Sequence, residues 1–389
     1  MVGGRVSRLW RWLFAPESDD SSATAELFQG DTTRAGRVHD HILYPLAHKD
    51  LNSAAHIAIL GAGSMAPGIA AVFAGGGFEA TLYARRRQAA EEATVRAEGA
   101  LRTLFDNALA EGDKAPIRPT DDLEEAVSSA DLVVEAISED LSAKQALFDE
   151  VERWVHPESV LASTTSGLDI ASISAHARHP SRFIVTHFWN PAHLVPLVEV
   201  LGRDVTDPGL LDDMAGLLCR LGKYPVRLEK YVPGFIGARL QQAVVREAIG
   251  LLQAGVASAE DIDAATRLSF GARFPVLGPL ETTDLGGLDV IAAIHGYLLA
   301  DLDCSQEPQE LLCDLVDQGK LGVKTGAGFY DWDHRDAKEL IHRRDEELLR
   351  RMKLLREQGE LSGGSGSQLD QVSNFEDNTA TTGSPSSIE

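Results

Sequence analysis

Between residues 56 and 201, short apolar runs alternate with longer segments whose apolar residues recur at helical spacing. The runs HIAILG, ATLYA, DLVVEAI, SVLAST, RFIVTHFW and LVEVL are rich in β-branched and aromatic side chains. That alternation predicts βαβ units and a mostly parallel sheet. After Pro233 the strand pattern stops, and residues 236–252, 259–268 and 288–299 predict helices. Ser258, followed by Glu260 and Asp261, supplies an N-cap with acids in the first turn of the second of these. The expected architecture is therefore α/β over residues 55–231, followed by an all-α C-terminal domain over 232–332. Leu340, Ile341, Leu348, Leu349 and Leu355 fall at helical spacing in a dense charged run, predicting one charged helix over 333–358. Residues 359–389 are rich in Gly, Ser and Thr without a basic residue, which predicts a disordered tail. Residues 1–54 are expected to be a partly disordered extension. Its start carries Arg5, Arg8 and Arg11 without an acid, a pattern also found in targeting or membrane-surface segments.

Composition narrows the function. Across 389 residues, 59 acidic side chains against 36 basic ones give a net charge of −23, which argues against nucleic acid as a partner. A hydrophobic content of 44% is enough for real cores. No apolar stretch is long enough for a transmembrane helix. Cys219, Cys304 and Cys313 show no metal-ligand spacing, which excludes a disulfide scaffold and a cysteine zinc site. A cytoplasmic two-domain protein without a metal is expected.

The segment HIAILGAGSMAPGIA puts a glycine-rich turn after a strand and before a helix. Gly61 permits a tight turn, Gly63 lets backbone amides approach a pyrophosphate, and Ala66 and Gly68 allow close helix–strand packing. Pro67 falls in the first helical turn, where its missing N–H costs nothing. Ser64 and Met65 complete the cofactor-facing turn. Strand, turn, helix and second strand in this order predict a Rossmann-type dinucleotide-binding domain. The acid that grips the adenosine ribose, about twenty residues further on, is replaced by Ala84. Arg85, Arg86 and Arg87 follow, and guanidinium groups bind a 2′-phosphate bidentately. The residues thus lean towards NADP, although such a run is also what a solvated basic helix start looks like.

Ser166, His187 and Glu199 sit at predicted strand ends, where open α/β sheets bind ligands. In a hydroxyl oxidation, His187 would take the hydroxyl proton and Glu199 would stabilise the imidazolium. Ser166 would hydrogen-bond the same oxygen. Taken alone, His187 also reads as a buried core histidine.

The chain resembles the L-3-hydroxyacyl-CoA dehydrogenase family, including 3-hydroxybutyryl-CoA dehydrogenases, from about residue 56 to 332. The resemblance rests on GAGSMAPGIA, DLVVEAISEDLSAK, STTSGL, THFWNPAHLVPLVEV, PGFIGARL, FPVLGPLETTDLGGLD and KTGAGFYDW. It implies an NAD-dependent oxidoreductase of fatty acid metabolism acting on CH–OH groups, with a helical domain that forms a homodimer. By the same resemblance, His187 is the general base, Glu199 its partner, and Ser166 contacts both substrate and cofactor. Glu139, Lys144, Asn190 and Lys324 would line the nicotinamide side. The plainer readings are a solvated Glu139–Lys144 ion pair and turn residues at Asn190 and Lys324.

Three departures keep alternatives open. Ala238 stands where the family places an Asn near the reacting oxygen. Ala100 and Asn107 stand where the family offers Ser and Lys to CoA. A CoA thioester and a free hydroxy acid, sugar acid, carnitine or heteroaromatic alcohol therefore remain as substrates. A catalytically weak cofactor-binding protein is the third reading, and the cofactor is expected to be NAD(P).

Overall fold

In the computed structural model, which describes residues 48, 51 and 54–361, the apolar runs pair into one sheet. Its strands are β1 (His56–Leu60), β2 (Glu79–Tyr83), β3 (Ile117–Thr120), β4 (Leu132–Glu135), β5 (Val160–Ser163), β6 (Phe183–Phe188), β7 (Leu197–Gly202) and β8 (Tyr224–Arg227). The spatial order is β3-β2-β1-β4-β5-β6-β7-β8. Pairs from β3 to β6 are parallel, β6 and β7 are antiparallel, and β7 and β8 are parallel again. The central strands β4, β5 and β6 are buried along their whole length, as strands covered on both faces must be.

The covering helices are α1 (Ala66–Gly75), α2 (Arg87–Asp106), α3 (Leu123–Val127), α4 (Leu141–Val151), α5 (Ile170–Ile173) and α6 (Pro208–Arg220). One core gathers Ile69, Phe73, Ala93, Ala97, Met214 and Leu218 from α1, α2 and α6 against one face of the sheet. A second gathers Leu123, Val127, Phe148, Val151 and Ile173 from α3, α4 and α5 against the other. All residues of α1 are buried, because its small side chains let it lie close to the sheet. The strand order reverses between β1 and β4, and this switch point is where such sheets open a crevice for ligands.

Two strands, β3 and β8, have no counterpart in the apolar pattern. Both are edge strands of four residues carrying a proline, Pro119 and Pro225. Edge positions tolerate proline and do not require a continuous apolar run.

The helical part comprises α7 (Gly237–Gln253), α8 (Ala259–Leu268), α9 (Pro279–Gly286), α10 (Leu288–Leu298) and α11 (Glu310–Asp317). Ser258 caps α8 by accepting the Asp261 amide at 3.1 Å. The charged run forms α12 (Ala337–Glu357), which buries Met352. Arg356 of α12 donates to the Ala108 carbonyl at 2.6 Å and also pairs with Glu111, just beyond α2. Expectations for residues 1–47 and 362–389 lie outside the described residues. Among the described residues no helix is long and apolar enough to cross a membrane.

Candidate active site

The glycine-rich turn leaves the carboxyl end of β1 and meets the end of β4. Gly61 has φ +136°, and a Cβ there would lie 2.4 Å from the Ala136 carbonyl oxygen. Only glycine fits. Gly63 is exposed, with nothing within 4 Å of a Cβ position, so the space above it is open. Ser64 is exposed and Met65 half-buried, and α1 begins immediately after them with Pro67 in its first turn. Arg96 of α2 holds the turn by donating to the Ala62 carbonyl at 2.8 Å. A Cβ on Gly68 would lie 3.1 Å from that of Ala192, so α1 packs closely on the segment following β6.

These residues fit a dinucleotide: a bare glycine cradle, open space, and a helix start whose amides and dipole suit phosphate. Beyond β2, Ala84 is buried and offers no carboxylate. Arg85 and Arg86 are exposed and form no ion pair with another described residue. Arg87 is engaged by Glu91 at 3.1 Å.

The antiparallel turn-back of β7 places His187 directly opposite Glu199 in register. Both side chains are buried, and Nδ1 of His187 lies 2.7 Å from Oε2 of Glu199. Trp189 Nε1 donates to the same oxygen at 3.4 Å. The other oxygen, Oε1, accepts the Ile236 and Gly237 amides at 2.9 and 3.0 Å, at the start of α7. Glu199 therefore joins sheet and helical domain. Burial opposes its ionisation, yet the hydrogen bonds from His187, Gly237 and Ile236 outweigh that cost and hold the carboxyl below its ordinary range. An ionised carboxylate only accepts, so Nδ1 of His187 must carry a proton and the neutral ring keeps its lone pair on Nε2. The rings of Trp189 and Phe235 flank the imidazole, with centroids 5.4 and 5.5 Å away.

A second polar cluster lies at the ends of β4 and β5. Glu139 Oε1 accepts Thr165 Oγ1 at 2.6 Å and the Ser166 amide at 2.9 Å, so Glu139 and Ser166 come together. Lys144 lies 3.5 Å from Glu139, but its stronger partner is the fully buried Glu135 at 2.6 Å. The pairing with Glu139 is buried on the lysine side and open to solvent on the glutamate side, with Lys144 1% and Glu139 43% exposed. Glu135 also accepts Ser163 Oγ at 2.6 Å and the Ile137 amide at 2.8 Å. Glu135, Ser163 and Thr165 are absent from the residues singled out by sequence. The available signal was an acid inside the apolar run DLVVEAI, which cannot be buried without a partner.

Asn190 is exposed, just beyond β6, and Ala238 lies in the first turn of α7. Lys324 is exposed in a short 3-10 turn, Val323–Thr325, and has no ion pair with the residues above. Ala100 packs against the small core of Ala71, Ala74, Leu101 and Leu104. Asn107 donates to the Thr103 carbonyl at the end of α2. Among the described residues no three His, Cys, Asp or Glu side chains cluster as metal ligands.

A glycine cradle at the switch point, a buried His–Glu pair whose following segment packs on the cradle's helix, and a helical domain whose first amides hold that pair define a nicotinamide-dinucleotide-dependent dehydrogenase. The family pattern described as 3-hydroxyacyl-CoA dehydrogenase, NAD binding domain, matches residues 56–231, and that of the C-terminal domain matches residues 234–332. The chain belongs to the 3-hydroxyacyl-CoA dehydrogenase family, whose members are NAD-dependent oxidoreductases acting on CH–OH groups. It is 33% identical over 297 residues to 5-formyl-3-hydroxy-2-methylpyridine 4-carboxylate 5-dehydrogenase of Mesorhizobium japonicum, covering 76% of this chain and 96% of that protein. The solved structure of a dehydrogenase of that name, described as an NAD+-dependent dismutase, superposes with a TM-score of 0.74 at 31% identity, over 78% of this chain and 99% of the other. (S)-3-hydroxybutyryl-CoA dehydrogenase from Ralstonia eutropha superposes with a TM-score of 0.58 at 28% identity, over 72% and 99% of the two chains.

Proposed function

We propose that His187 is the acid–base residue of this dehydrogenase and that its substrate is a free hydroxy acid or heteroaromatic alcohol rather than a CoA thioester. The observation carrying the first part is the His187–Glu199 pair, 2.7 Å apart and anchored by the α7 amides. In oxidation, His187 Nε2 takes the hydroxyl proton, and Glu199 stabilises the imidazolium through Nδ1. The nicotinamide cofactor, when bound, accepts the hydride from the same carbon or returns it in reduction. Ser166 hydrogen-bonds the reacting oxygen. Glu139, Asn190, Lys144 and Lys324 serve the nicotinamide side, Lys144 by fixing Glu139. Gly61, Gly63, Ser64, Met65 and Gly68 serve the pyrophosphate side.

The substrate part rests on α2. Ala100 is used for packing and Asn107 for closing the helix, so neither offers charge to a CoA phosphate. Ala238 cannot donate to the reacting oxygen, which also favours a substrate oriented by other contacts. The likeness to the pyridine-carboxylate dehydrogenase supports the same reading. Turnover of free 3-hydroxy acids and pyridine carbinols should exceed that of 3-hydroxybutyryl-CoA in a spectrophotometric assay. Preferred turnover of the thioester would overturn the substrate assignment.

Exposed Arg85 and Arg86 support NADP over NAD, whereas the family pattern favours NAD. Replacing both arginines with Ala should weaken NADPH binding about tenfold or more, while NADH is little affected. Equal losses would remove the 2′-phosphate argument. A homodimer through the helical domain and a cytoplasmic location belong to the same proposal.

A further inference from the structure

Lys223 sits in the turn between α6 and β8 and is 1% exposed. Its Nζ donates to the carbonyl oxygens of Ala192 at 2.6 Å and Val195 at 3.0 Å. No carboxylate lies within ion-pair distance of it among the described residues. Burial pushes this ammonium down to about 7. A buried cation without a counter-ion burdens the fold, and what it holds here is one short piece of chain.

That piece is residues 189–196, the irregular segment between the strands of His187 and Glu199. Its inner turn is made by the Leu194 and Val195 amides donating to the Pro191 carbonyl at 2.9 and 3.0 Å. One side packs on Gly68 of the cofactor helix, through Ala192 and the His193 amide. From the other side Lys223 takes two of its carbonyls, and the Tyr224 amide takes a third, that of Pro196, at 2.9 Å. Buried backbone carbonyls need donors. An ammonium with three rotatable N–H groups can serve two that point in different directions.

We propose that Lys223 is a positioning residue for cofactor binding: by gripping Ala192 and Val195 it presses the segment onto α1 and so fixes Asn190 at the cofactor crevice. This rests on the reading of Asn190 as a cofactor contact. The test is a double-mutant cycle on the full chain, with NADH dissociation constants from fluorescence titration and thermal melts as a check on folding. Lys223→Met should weaken NADH binding about tenfold, as expected when a contact group is misplaced. In the Asn190→Ala background the same substitution should cost less than about twofold. Lys223→Arg, which keeps a cation and its donors, should recover much of the loss. If Lys223→Met does not fold, Lys223→Gln, whose shorter side chain does not reach both carbonyls, takes its place in the cycle. Equal losses in both backgrounds, or a lowered melting temperature with unchanged NADH affinity, would overturn the proposal. An Asn190→Ala variant that binds NADH normally refutes the reading of Asn190 instead, and the proposal falls with it.

Discussion

At the residue scale, the chemistry depends on how one carboxylate is held. Glu199 gathers donors from β6, from the segment after it and from the start of α7. Glu199→Gln removes the charge that supports an imidazolium, so kcat should fall by about 10²–10⁴-fold, the usual worth of acid–base assistance, with cofactor affinity little changed. A variant retaining full kcat would show that the charge of Glu199 does not support an imidazolium at His187. Linkage gives a second readout. The carboxyl of Glu199 titrates below its ordinary value in the fold. Its ionised form therefore stabilises the protein above the unfolded value of about 4.3, and that contribution is lost as pH falls through the depressed one. Urea denaturation of Glu199→Gln should show a shallower loss of stability on acidification than the wild type. Gly61 offers a geometric counterpart. With φ +136° and the Ala136 carbonyl 2.4 Å from any Cβ, Gly61→Ala must shift the turn, so NADH affinity and the melting temperature should drop together.

At the element scale, β4, α4 and β5 meet over the buried set of Glu135, Lys144 and Ser163. Replacing the nearer partner of Lys144 leaves it only Glu139, 3.5 Å away and open to solvent, a loss of about 3 kcal/mol, the low end for a broken buried pair. Glu135→Gln should therefore lower the unfolding free energy by that order in a urea titration. Ser163→Ala should cost about 1 kcal/mol. A loss within experimental scatter for Glu135→Gln would mean that Lys144 finds another partner. How far this was legible follows from the elements themselves. The central strands and α7, α8 and α10 were readable because burial on both sheet faces and helical spacing leave strong apolar patterns. The edge strands β3 and β8 were not, since an edge needs neither an apolar run nor freedom from proline. His187 was readable as a strand-end residue, whereas Glu199, expected at the carboxyl end of its strand, is the third residue of β7 and lies nearer the amino end. That they face each other depends on β7 running antiparallel to β6, a choice made by the sheet and not written in either strand. Glu135 escaped notice because its partners arrive from separate elements, nine and twenty-eight residues away.

At the scale of the whole molecule, the two halves are packed very differently. The sheet domain buries two full cores, whereas α8, α9, α10 and α11 contain no buried residue. Val276, Leu280, Leu285 and Leu288 all stand exposed, Leu280 at 80%. Apolar surface on that scale is what a protein interface covers, and the inferred homodimer supplies a second copy to cover it. The consequence reaches the catalytic pair, because two of the four donors to Glu199 are amides at the start of α7. If the helical domain takes its shape only against a partner, dilution should first separate the chains and then loosen those amides. Light scattering should report two chains at micromolar concentration, and specific activity should fall over the same dilution range in which the mass halves. Leu280→Lys with Val276→Lys should move both transitions to higher concentration, leaving NADH affinity of the sheet domain largely intact. A monomeric variant with undiminished kcat would show that α7 holds Glu199 without help from a second copy.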